Sequence, residues 1–74
     1  MKRDADTLRE VGEAMYGGTW LTPLAADLDV ALRTVQRWAN GEFNIPDGIW
    51  PELADLCLAR GKDLEKLAMK LARL

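Results

Sequence analysis

From residue 6 onward, apolar positions recur at intervals of three and four, the mark of helices that bury one stripe. Leu8, Val11 and Met15 fall at that spacing and predict a first helix over 6–16, with acidic residues toward its N-terminus. Gly17-Gly18 stops it, because glycine tolerates the left-handed geometry of a helix end. Thr19 or Thr22 is placed to cap a second helix, and Pro23 suits its first turn, where a missing N–H is harmless. That helix runs to about Leu28. At Asp29 the chain needs positive φ, which Asp tolerates better than most residues. A third helix is expected over 32–39, closed by Asn40-Gly41.

Ile45-Pro46 then resets the chain, and Asp47-Gly48 opens a fourth helix over 48–59. Pro51 must fall in its first turn, and Ile49, Leu53 and Leu56 form its buried stripe. Gly61 is expected to stop it, with Asp63 capping a fifth helix over 63–73. Leu64, Leu67, Leu71 and Leu74 line one side of that last segment. Such a stripe suits either core packing or the seam of a short coiled coil or dimer contact. Core packing is favoured, since a coiled coil of about three turns is marginal. Lys62, Lys66, Lys70 and Arg73 lie largely on the other side, as a solubilising face. No stretch alternates with period two. The expected fold is all-α, a compact bundle of four to five short helices, and 1–74 is one domain.

Composition narrows the chemistry. Hydrophobic residues at 49% and charged residues at 30% describe a globular chain of 74 residues. Its size leaves a single core only just sufficient. Trp20, Trp38 and Trp50 each fall on or beside an apolar face and are expected in that core. The single Cys, Cys57, cannot form an intramolecular disulfide and reads as a small core residue or interface filler. With no His present, zinc-finger, Cys-His and Ser-His chemistry is excluded, and no carboxylate pair stands out as a dyad. The expectation is no enzyme, no cofactor, no metal and no small-molecule substrate. No apolar run approaches the ~20 residues of a membrane span, and a reducing cytoplasm is the expected compartment. Net charge is −2, which argues against non-specific coating of nucleic acid.

The third helix carries the most chemistry. Val35 and Trp38 share one side, while Arg33, Gln36, Arg37 and Asn40 share the other at i, i+3, i+4, i+7. A plain solvated face usually mixes Glu with Lys at i, i+4, whereas this helix holds no acid. Arg pairs bidentately with guanine and Gln with adenine, so the polar side suits base edges in a major groove. Thr34 and Asn40, at its margins, suit phosphate contacts that fix register. Ala25 on the preceding helix is small enough for close crossing.

The segment TPLAADLDVALRTVQRWANGEFNIPDGIWPELADL resembles the helix-turn-helix of the phage-repressor and Cro-like (XRE-type) regulators. Within that group it is similar to short prophage or mobile-element proteins. The likeness covers roughly residues 20–56 and rests on the joint spacing of Leu24-Ala25, Val30, Thr34-Val35, Trp38 and Gly41. It implies a lambda-repressor-like DNA-binding domain acting as a homodimer on a pseudo-palindromic operator of double-stranded DNA, often repressing its own operon. By position, Leu32, Arg33 and Arg37 fall where the family places base readers, and Thr34 and Gln36 at neighbouring groove or backbone positions. With Gln36 added for its chemistry, Leu32, Arg33, Gln36 and Arg37 are the expected base readers, and Thr22, Thr34, Asn40 and Asn44 the expected backbone contacts. Ala31 stands where the family usually has a capping Ser or Thr, and Asp29 replaces its common turn glycine. Glu42-Phe43-Asn44 occupies the loop where relatives often supply Lys or Arg to phosphates. The competing expectation is a protein-interaction module of the same fold, binding a polymerase, an antitoxin partner or a host-defence complex; the acidic balance and Glu42 favour it.

Overall fold

Four helices and no strand make up the chain: α1 (Ala5–Tyr16), α2 (Leu21–Leu28), α3 (Leu32–Ala39) and α4 (Ile49–Ala72). They come from a computed structural model that describes every residue from Met1 to Leu74. The core joins Leu8 of α1, Leu24, Ala25 and Leu28 of α2, Val35 and Trp38 of α3, and Ile49 and Leu53 of α4. Trp20, just ahead of α2, completes it. Leu8, Leu24 and Val35 have no exposed surface, and burial of this kind contributes about 1.5–3 kcal/mol per side chain. The chain is elongated, 48 × 21 × 20 Å, because α4 runs on past the other three helices.

Local chemistry explains where the first three helices end. Asp4 caps α1, its carboxylate accepting from the Thr7 N–H at 2.9 Å, and that bond holds the Asp4 carboxyl below its usual pKa. Gly17 ends α1 with φ 83°. Asp29 takes the left-handed conformation (φ 56°, ψ 46°), as its place between two apolar patterns predicts. There the Asp29 N–H donates to the Ala26 carbonyl at 3.2 Å and the Val30 N–H to the Ala25 carbonyl at 3.0 Å, the paired bonds of a Schellman stop. The same pair recurs after α3, from Gly41 to Trp38 at 3.1 Å and from Glu42 to Arg37 at 3.0 Å, with Gly41 at φ 75°.

Several expectations require correction. Neither Thr19 nor Thr22 caps α2; Trp20 stands at that position with helical dihedrals, and no side chain caps the helix. Gly61 does not stop α4, nor does Asp63 start a fifth helix: 48–59 and 63–73 are one helix of 24 residues. An interior glycine costs about 1 kcal/mol, too little to break a run of Leu, Ala, Arg and Lys on both sides of it. The leucines 64, 67, 71 and 74 are exposed rather than packed in the core, and Cys57 is exposed too. Trp50 and Leu56 are half-buried, and the Trp50 Nε1 is shut off from solvent with no hydrogen-bond partner. Pro51 sits in the first turn of α4, where its ring is tolerated.

Candidate nucleic-acid interface

α3 packs mainly on α2, with α1 behind both. Burial of Val35 and Trp38 sets its rotation, so the residues between them in helical phase must face outward. Arg33, Gln36 and Asn40 are exposed, and Arg37 is half-buried. Leu32 is exposed at one margin, while Thr34 is half-buried at the other. One helix and its C-cap residue therefore bring six of the expected contacts to its outer side and margins. Thr22, in the first turn of α2, and Asn44, in the loop after α3, are exposed as well.

Ala31 opens α3 in extended geometry (φ −64°, ψ 141°), but its methyl offers no hydrogen bond to the first turn. A Ser or Thr there contributes about 1 kcal/mol in other helices. The face itself holds two cations and no anion, while Asp29 and Glu42 lie just beyond its two ends, both exposed.

Comparison with known family models, curated proteins and solved structures gave no match. The chemistry of the site has to speak through its own geometry.

Three contacts escape the sequence pattern. The Arg37 guanidinium lies 5.1 Å from the centre of the Phe43 ring, so the loop after α3 braces the second arginine of the face. A stacked guanidinium keeps its N–H donors in its own plane, where they stay available to a planar acceptor. Behind the face, the Tyr16 hydroxyl donates to an Asp27 carboxylate oxygen at 2.5 Å and ties α1 to α2. Loss of solvent around the phenol, followed by that bond and the Asp27 charge, pushes the Tyr16 pKa up to about 12. Arg60 lies 4.6 Å over the same ring and opposes the shift. A Phe six residues after an Arg carries no periodic signal; only the closed turn at Gly41 brings the two together.

Proposed function

We propose that α2, the Asp29 turn and α3 form a helix-turn-helix, and that α3 enters the major groove of double-stranded DNA. The observation that carries this is the acid-free outer face of α3, held in place by Val35 and Trp38 on its other side. A helix with its side chains is about 10–12 Å across, matching a groove about 12 Å wide. Arg33 and Arg37 read guanine, Gln36 reads adenine, and Leu32 offers apolar contact to a thymine methyl. Thr22, Thr34, Asn40 and Asn44 touch phosphates and fix register. Two copies on a pseudo-palindromic operator set their α3 helices about 34 Å apart along the duplex, one DNA turn. Acting as a repressor of its own operon is the use that the XRE-type resemblance implies.

Selection of bound fragments from random duplex DNA tests the proposal. The expected result is one recovered motif with twofold symmetry, bound with an affinity that falls steeply as salt rises. If no duplex is retained at low salt, the groove reading is wrong. Glu42 and Asp29 at the two ends of α3, with the net charge of −2, favour a second reading, in which the helix-turn-helix docks on a protein partner such as a polymerase, an antitoxin partner or a host-defence complex. A motif recovered from the selection decides against it.

A further inference from the structure

We propose that the free half of α4 is a homodimer seam, on which a second copy of this chain lays the same half-helix antiparallel. The buried stripe of α4 does not end with the core. Ile49, Leu53 and Leu56 continue in helical phase through Arg60 to Leu64, Leu67 and Leu71, with Leu74 just past the helix end. What changes is the cover. α1 has 12 residues, about 18 Å, and stops at Tyr16, level with Arg60; α4 has 24, about 36 Å. Past Arg60 the stripe therefore has no neighbour, and Leu64, Leu67 and Leu71 are 65%, 53% and 65% exposed. Leu58 and Met69 are exposed on the opposite side, where they make no stripe.

Charge decides the occupant and its direction. Asp63 and Lys70 lie along one edge of the stripe, one residue before Leu64 and Leu71. Gly61 and Ala68 lie along the other, each one residue past a seam position. An antiparallel copy that sets Leu64 against Leu67 of the partner subunit brings Asp63 to Lys70 of the partner subunit, twice over by symmetry. The small edge meets itself and permits close approach. A parallel copy in register would stack Arg60 on Arg60 of the partner subunit and leave Asp63 facing Ala68 of the partner subunit. The seam is thus self-complementary in one direction only. Arg60 is drawn aside over the Tyr16 ring, which clears the seam at its root. In the same register Leu74 of the partner subunit arrives beside Cys57. There a hollow of about 330 Å³, lined by Met15, Cys57 and Leu64 among others, is open to receive it.

This inference rests on the function proposed above only for its twofold symmetry; the seam stands or falls without DNA. Sedimentation equilibrium of the full chain reads it directly. The expected result is a monomer–dimer equilibrium in the micromolar range, as suits a contact at the small end of specific interfaces. Leu67→Asp, at a position exposed in the single chain, abolishes the dimer while the thermal unfolding of the dilute protein is unchanged. Asp63→Lys sets like charges opposite each other twice and weakens association about fivefold or more, and adding Lys70→Asp restores it. A chain monomeric at every concentration overturns the proposal, as does a dimer indifferent to Leu67→Asp. A charge swap without rescue overturns the antiparallel register. Duplex binding by the Leu67→Asp monomer, at reduced affinity, separates failure of the seam from failure of the groove reader.

Discussion

The indole of Trp20 lies directly on Gly12, so closely that a Cβ built on that glycine would stand 3.0 Å from Cγ and nearer still to Cδ2 and Cε3. Gly12 is the buried point of α1 at which the segment leading into α2 crosses it, and Trp20 is itself part of the core, 5% exposed. Gly12→Ala gains about 1 kcal/mol of helix propensity, yet overpacking of this kind costs about 1–3 kcal/mol or more. The substitution is expected to lower the urea midpoint, with a shift in tryptophan fluorescence. Gly61→Ala supplies the contrast, since nothing lies within 4 Å of its Cβ direction. There the propensity gain stands alone, about 1 kcal/mol of added stability, measured on the dilute protein. If both substitutions move the midpoint the same way, the Trp20–Gly12 contact is not what the geometry indicates.

Asp29 holds a left-handed conformation at a helix C-terminus, where both its Cβ and its negative charge are unfavourable. Asp29→Gly removes both and is expected to stabilise the fold by about 0.5–1 kcal/mol, discounted for the freedom it adds to the unfolded chain. Asp29→Val keeps the backbone demand with a branched side chain and is expected to cost more than that gain. Thermal unfolding checks the order, Gly above Asp above Val, and about 1 kcal/mol moves Tm by roughly 4–8 °C in a domain of this size.

Arg37 leans on Phe43, and both act on the face proposed to read DNA. Arg37→Ala is expected to weaken binding to the selected operator by about 1–3 kcal/mol and to relax preference at one base position. Phe43→Ala removes only the brace, worth about 0.5–1 kcal/mol, and is expected to lower affinity a few-fold without changing the preferred sequence. Operator titrations against single-base variants distinguish the two. Unchanged affinity for both Arg33→Ala and Arg37→Ala would show that this face does not meet the bases.

The Tyr16 proton supports the fold only while it is held. Below pH 10 the folded and unfolded chains both keep it, and the bond to Asp27 contributes fully. Between pH 10 and about 12 the unfolded chain releases it first, so stability from this group falls as pH rises. Tyr16→Phe is expected to cost about 1 kcal/mol at neutral pH and to flatten the alkaline limb of the stability curve. Urea unfolding of both proteins from pH 8 to 11.5 measures it; parallel curves would remove Tyr16 from the linkage.

Some elements are legible in the amino-acid sequence and others are not. Helices over 6–16 and 32–39, and the end of the second helix near Leu28, can be placed within a residue or so, because their apolar spacing and their stops at Gly17, Asp29 and Gly41 are properties of a few consecutive residues. The start of α2, with no side-chain cap, cannot. The outer face of α3 is readable for the same reason: two buried anchors in one short helix settle its rotation. Gly61 misleads because a glycine signals a stop only where the chain also turns, and here strong helix formers flank it.

Periodicity by itself determined that α4 has an apolar stripe, since side-chain phase repeats along any helix whatever surrounds it. Whether that stripe is covered was decided by tertiary structure alone. α1 ends at Tyr16, half a helix too soon to reach Leu67 or Leu71, and the length of one element relative to another is not written in either. Trp20 on Gly12, Arg37 on Phe43 and Arg60 on Tyr16 belong to the same class. Each joins residues on different elements or across a turn, and such meetings exist only once the chain has closed on itself.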